Sequence, residues 1–237
     1  MNIQNKITQL PWHPRRRWSK RDLAGIQRII IHQELGEADI KAVNHYHINP
    51  NHITPKGCPH FCYHFGIEKN GDILQVNELS DITWHTPGQN EEGIGIMLTG
   101  NFAGPGHLIA TSKPTPNQIR SLGWLCDYLV HSFILTKRDI FGHCHFGKPA
   151  CPGTQIQEWI EKRWETPLLE KGIKDVPKTI LAIQKRLDLT GYDPGPLDGI
   201  MGVRTQAAIR AFQRDHSLLA DGIVGPKTWS VLLNDTH

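Results

Sequence analysis

The 237-residue sequence predicts an α/β fold, a mixed central β-sheet flanked by helices, followed by a small C-terminal three-helix domain. Two strongly apolar runs, 27–32 and 93–99, alternate with segments of helical periodicity, which is the pattern of strands covered on both faces. Asn70-Gly71 separates two short strand candidates, a hairpin signal. From residue 177 onward the chain carries only helix signals, around a repeated turn motif.

Arg28-Ile29-Ile30-Ile31-His32 is a β-branched run ending on an imidazole, and reads as a buried strand over 27–32. Residues 38–47 follow as a short helix, and 61–69 with 72–77 as two strands joined at Asn70-Gly71. Gly93-Ile94-Gly95-Ile96-Met97-Leu98-Thr99 is apolar throughout and reads as a central strand. Pro116 opens a helix over 116–132 whose Ile119, Leu122, Leu125 and Leu129 share one face. A short strand ends at Phe141, and 154–164 is helical. This organisation gives a first domain over 1–165 and a linker over 166–176. A second domain over 177–237 has helices near 178–188, 203–216 and 226–233. In that domain Asp198-Gly199-Ile200-Met201-Gly202 recurs as Asp221-Gly222-Ile223-Val224-Gly225, each Asp-Gly a turn signal ahead of a helix.

The hydrophobic and charged fractions, 38% and 21%, exclude a disordered or fibrous chain. Part of the net charge of +3 lies in Arg15-Arg16-Arg17 and Lys20-Arg21. This cluster lacks the interleaved aromatics of a nucleic-acid groove, so it reads as a solvated loop and no nucleic-acid partner is expected. No apolar stretch reaches the ~20 residues that cross a bilayer, so no membrane partner is expected. Met1–Lys6 lacks the apolar core of a secretory signal, and the expectation is a chain made in the cytoplasm. Five cysteines, an odd number, do not make a disulfide framework, although a local Cys58–Cys62 bridge stays open.

Fourteen histidines with few cysteines fit metal chemistry. His32 ends one strand and His143 follows another, so neighbouring strands would set both imidazoles on one rim. Seven residues later Cys151, before Pro152-Gly153, returns to the same edge. Two imidazoles and one thiolate form a three-ligand zinc set with its fourth position open, which is a hydrolytic arrangement. A rival run, Cys58, His60, Cys62 and His64, alternates as a strand does and lacks a Cys-x-x-Cys knuckle; it is the weaker metal candidate.

Residues 27–165 resemble the zinc-dependent N-acetylmuramoyl-L-alanine amidases, the family that includes phage lysozyme-type amidases and peptidoglycan recognition proteins. The matching pieces occur in family order. They are the Ile-Ile-Ile-His strand, Tyr63-His64-Phe65 with Asn70-Gly71, Trp84-His85, Gly93-Ile94-Gly95-Ile96, Gly100-Asn101-Phe102, Pro116 with Gln118, Gly142-His143 and Cys151-Pro152-Gly153. The resemblance implies hydrolysis of the amide between N-acetylmuramic acid and the L-alanine of the stem peptide. It implies Zn2+ on His32, His143 and Cys151, with Tyr63 beside the metal, and His85 and Asn90 lining the substrate groove. Met97 stands where one subgroup has a catalytic glutamate, and Pro149 where another has a lysine, which leaves Lys148 one position away as a candidate for added positive charge.

Residues 177–235 resemble a three-helix peptidoglycan-binding module, through Ile183-Gln184-Lys185-Arg186-Leu187, Gly191-Tyr192, the Asp-Gly-Ile repeats and Ala211-Phe212-Gln213. The expected partner is therefore bacterial peptidoglycan, met by a monomer acting on the cell wall after release, as a phage or prophage endolysin does. The competing expectation is a recognition protein of the same family that binds peptidoglycan without cutting it.

Overall fold

The structure, a computed structural model, describes residues 1–51, 54–104, 112–133, 135–165, 180–222, 224 and 226–234. The linker expected at 166–176 lies outside the described residues. The chain divides into two compact units, one holding the sheet and one holding the C-terminal helices.

The first unit is built on β1 (Ile3–Asn5), β2 (Arg28–Gln33), β3 (Phe65–Ile67), β4 (Ile73–Gln75), β5 (Gly93–Leu98) and β6 (Ile140–Gly142), in the spatial order β1-β4-β3-β5-β2-β6. β5 and β2 are central and parallel, with Ile30 opposite Gly95 and His32 opposite Met97. β6 adds to β2 in parallel, and β3 to β5. Only β3 and β4 are antiparallel. All six residues of β5 are buried, which is why its sequence is continuously apolar instead of alternating.

Helices α1 (Ile40–Ile48), α2 (Pro116–Phe133) as far as Asp127, and α3 (Thr154–Glu165) complete this unit. Asp39 caps α1 by accepting the Ala42 amide at 2.8 Å. Thr115 and Gln118 form a reciprocal cap on α2: the Thr115 hydroxyl accepts the Gln118 amide at 3.1 Å, and the Gln118 side chain accepts the Thr115 amide at 3.0 Å. The same Gln118 donates to the Thr99 carbonyl at 2.8 Å, tying the helix start to the end of β5. Leu122 and Leu125 of α2, Ile156 and Ile160 of α3, and Ile29–Ile31, Ile94 and Ile96 of the strands are all fully buried. Each such side chain contributes ~1.5–3 kcal/mol over its exposed state.

Three features differ from expectation. The β3–β4 connection is a type I turn followed by Gly71 at φ 92°, with the Gly71 amide on the Glu68 carbonyl (2.8 Å), so it is a longer loop than a two-residue hairpin. Residues 61–64 do not continue β3. There His64 spends its ring on the neighbouring backbone. Its Nδ1 accepts the Gly95 amide at 3.0 Å, which leaves the proton on Nε2, facing the Asp81 carbonyl at 3.0 Å. β1 was not expected at all. It is a three-residue edge strand paired with β4, and a single isoleucine gave it little apolar signal.

The arginine cluster is not a free cationic surface. Arg16 binds the Gly57 carbonyl and lies 5.3 Å from the Trp84 ring; Arg17 binds the His13 carbonyl at 2.8 Å and covers Trp12. Arg21 donates to the carbonyls of Leu79, Asn90 and Gly93 at 2.9, 3.0 and 2.8 Å. No described helix is long and apolar enough to cross a membrane.

The second unit comprises α4 (Ile180–Leu189), α5 (Val203–Asp215) and α6 (Pro226–Asn234) around Leu187, Ile209, Phe212, Trp229 and Leu232. The sequence repeat becomes a repeated knot. Gln184 donates to Asp198 (3.0 Å) and Thr205 (3.2 Å) and accepts the Gly199 amide (2.8 Å). Gln213 repeats this with Asp221 (3.0 Å), Thr228 (3.2 Å) and the Gly222 amide (2.9 Å). Each buried glutamine amide thus fixes one Asp-Gly turn to the helix that follows it.

Burial holds the His64 imidazole neutral, its pKa well below 6.5, and lowers that of His47 to about 4. An unfolded chain binds protons at these sites below 6.5, and the folded chain does not, so stability is full above pH 6.5 and falls as pH drops toward 4. Thermal melts of the metal-free protein should show Tm declining over that window; a flat Tm would contradict the buried neutral imidazoles.

Candidate metal centre

The parallel pairing of β2 with β6 sets Ile31 opposite Gly142, so the next residue on each strand is a histidine. His32 and His143 meet with ring centroids 4.5 Å apart. After a 3-10 turn over His143–Phe146, the Cys151 amide closes onto the Lys148 carbonyl at 2.9 Å and brings the thiol back. Gln33 holds that loop: its side chain donates to the Ala150 carbonyl and accepts the Phe102 amide, while its own amide points at the Cys151 sulfur at 3.4 Å. Donor atoms of His32, His143 and Cys151 all lie within 4.8 Å of one another.

The buried hydrogen bonds identify which atoms are free to ligate. His85 Nε2 faces the Gly93 carbonyl at 3.3 Å and donates to it, which leaves His85 Nδ1 as an acceptor. That Nδ1 lies 3.2 Å from His32 Nε2 and 2.9 Å from the Thr86 hydroxyl. His32 therefore carries its proton on Nε2 and presents a bare Nδ1, 3.9 Å from the Cys151 sulfur. A tetrahedral zinc ion with ordinary bond lengths spans ~3.5 Å between such a nitrogen and sulfur. His143 Nε2 is buried with no hydrogen-bond partner among the described residues. An orphaned nitrogen, a bare nitrogen and a thiol converging on one point fit a zinc ion.

Electrostatics agree with a neutral donor set. Burial, then the neighbouring imidazoles of His85 and His143, push the His32 pKa well below its usual range. Burial and the Lys148 charge lower that of His143 to about 4. Burial raises the Cys151 thiol to about 12, so a metal must displace its proton on binding.

The remaining sequence candidates separate. Tyr63 lies beside the cluster, its ring 4.8 Å from that of His32, and burial keeps its phenol protonated. The peptide carrying it is held by Asn77, which the sequence did not single out. Asn77 is fully buried and donates to the carbonyls of Phe61 and Tyr63, both at 2.6 Å. Gln33, Glu34, Val43, Tyr46, Tyr63 and Met97 line a cavity of about 510 Å³ between β2 and α1. Lys148 is exposed on the loop before Cys151. His85 does not line this groove: it is 4% exposed and packs behind His32. Gly95 makes room for it, since a Cβ there would sit 2.7 Å from the His85 ring. Asn90 is half-buried; its side chain accepts the Thr86 amide at 2.7 Å, and it lines a second cavity with Ile82, Trp84 and Glu92. The rival run forms no metal cluster among the described residues.

A hydrogen-bonded partner that fixes a ligand histidine typically tunes metal affinity by 10–100-fold. His85→Ala should weaken zinc binding by about that factor, measured by competition with a chromophoric chelator, and unchanged affinity would remove His85 from the support of His32.

Residues 22–154 match the family described as N-acetylmuramoyl-L-alanine amidase, and residues 177–232 match a peptidoglycan binding domain. Peptidoglycan-recognition protein SC2 of Drosophila melanogaster is 28% identical over 163 residues, 66% of this chain and 84% of that protein. N-acetylmuramoyl-L-alanine amidase CwlM of Mycobacterium tuberculosis is 41% identical over 49 residues, which is 21% of this chain and only 12% of the length of CwlM. Among solved structures, the endolysin N-acetylmuramoyl-L-alanine amidase LysCS of Clostridium intestinale URNW superposes with a TM-score of 0.52 at 22% identity, covering 70% of this chain and 97% of that one. That likeness establishes a shared fold. With its family match over more than half its length, the six-stranded sheet and the C-terminal module, this chain belongs to the N-acetylmuramoyl-L-alanine amidase family and carries a C-terminal peptidoglycan-binding domain.

Proposed function

We propose that this chain is a zinc-dependent peptidoglycan hydrolase that cleaves the amide between N-acetylmuramic acid and the L-alanine of the stem peptide, and that it acts as a monomeric endolysin of phage or prophage origin. The observation that carries this reading is the convergence of donor atoms of His32, His143 and Cys151 beside Tyr63, which itself lines the cavity of about 510 Å³. The peptidoglycan-binding domain favours intact wall as substrate, because tethering makes each later encounter intramolecular. All three donors are present, which favours an enzyme over a recognition protein.

His32, His143 and Cys151 would hold the zinc ion. When bound, zinc supplies Lewis acidity, lowering the pKa of water toward ~7 and polarising a carbonyl. The chain supplies the rest. His85 and Thr86 hold the His32 ring in the tautomer that frees Nδ1. Tyr63, protonated throughout the neutral range, donates its hydroxyl proton in a hydrogen bond to the oxyanion that develops on the scissile carbonyl. Met97, fully buried on β5, offers no carboxylate, and we assign the stabilisation of that charge to Tyr63, with Lys148 as the second candidate. The backbone amide of Gln33 steadies the sulfur of Cys151.

Mass spectrometry of digested sacculi tests the bond: new L-alanine amino termini, abolished by a chelator, are expected, and reducing sugar ends in their place would overturn the assignment. Tyr63→Phe should retain zinc and lose ~100–1000-fold in kcat, the usual cost of one oxyanion donor. A variant with full turnover would exclude the phenol from the reaction.

A further inference from the structure

Cys58 and Cys62 stand four residues apart in the segment between α1 and β3, and the metal cluster uses neither. Both are buried and both are free thiols. The Cys62 thiol donates to the Cys58 sulfur at 3.0 Å, with the Thr54 hydroxyl 3.7 Å from that same sulfur. Together with Trp18 they form a buried cluster against which Trp12 and Tyr63 pack. We propose that Cys58 and Cys62 are a reversible dithiol–disulfide site, oxidised by a peroxide, whose bridge forms directly before Tyr63.

The two sulfurs are already in contact, so side-chain rotation suffices to join them. They are also unequal. The hydrogen bond from Cys62, with Arg16 nearby, lowers the Cys58 thiol to about 7, while the same contact and burial push Cys62 up. Cys58 is thus the nucleophile and Cys62 the resolving thiol. Because Cys58 is only 1% exposed, the oxidant must be about the size of water, which selects a peroxide over a bulky disulfide. The Cys58 thiolate attacks one peroxide oxygen; the O–O bond breaks, a sulfenic acid forms and hydroxide leaves, protonated to water. Cys62 sulfur then attacks the sulfenic sulfur; the S–O bond breaks and hydroxide leaves with the Cys62 proton as a second water. The sulfurs lose two electrons and the peroxide gains them. Once the segment opens, a dithiol reductant reverses the bridge by exchange.

The closed bridge constrains the peptide that presents Tyr63, and this consequence for turnover rests on the role proposed for Tyr63 above. The chemical test is independent of it. Zinc-loaded full-length protein is treated with hydrogen peroxide, denatured, alkylated and mapped by mass spectrometry. A Cys58–Cys62 linked peptide that dithiothreitol removes is expected, with Cys126, fully buried and raised to about 12, recovered as a thiol. In Cys62→Ser, dimedone added with the denaturant after peroxide treatment should trap a sulfenic acid on Cys58. Recovery of both Cys58 and Cys62 as thiols while the half-buried Cys144 is oxidised would overturn the proposal. Absence of amidase turnover in untreated protein would instead sink the proposed function and leave the cross-link untouched.

Discussion

The register that sets Ile31 against Gly142 is the constraint on which the candidate centre depends. Both strands run in the same direction and end at the same edge, so the first residues past that register are neighbours although 111 positions apart in sequence. A slip of one residue would turn one imidazole to the opposite face. The slip is resisted by the apolar run itself: Ile29, Ile30 and Ile31 are completely buried, and β2 is locked between β5 and β6.

Around that edge the protein spends buried polar groups on position. His64 fastens the peptide before β3 to Gly95, Asn77 fastens the peptide carrying Tyr63, His85 orients His32, and Gln33 fastens the loop of Cys151. Each of these side chains is at most 4% exposed, and each has a named partner. A buried polar group without a partner is costly, so these networks persist only when every member is in place. Beside this set the buried Nε2 of His143 has no partner among the described residues, and His143 is the one that shares its cluster with His32 and Cys151.

Much of this was legible in the sequence. β2 and β5 announced themselves as apolar runs, α2 and α3 by periodicity, and the donor set by residue type at strand ends. What escaped was set by non-local contacts. β1 has one isoleucine and owes its existence to a partner some seventy positions away, Ile73. His85 read as a groove residue, yet it is 4% exposed while its neighbour Trp84 is 44% exposed. The signal for the inward turn lay elsewhere, in Gly93 and Gly95, which leave a ring-sized space on β5. Asn77 carried no local signature, since its value lies in four backbone and side-chain partners brought to it by folding.

The separation of His32 and Cys151 has a topological side. An ion gripping both would close a loop between positions 119 apart in sequence, taking in β3, β4, β5 and β6. Cross-linking a loop of that size removes chain entropy from the unfolded state worth ~4–5 kcal/mol in the polymer picture. In a chain whose described cysteines are all free thiols, the reactive centre would thus double as the longest staple in the molecule.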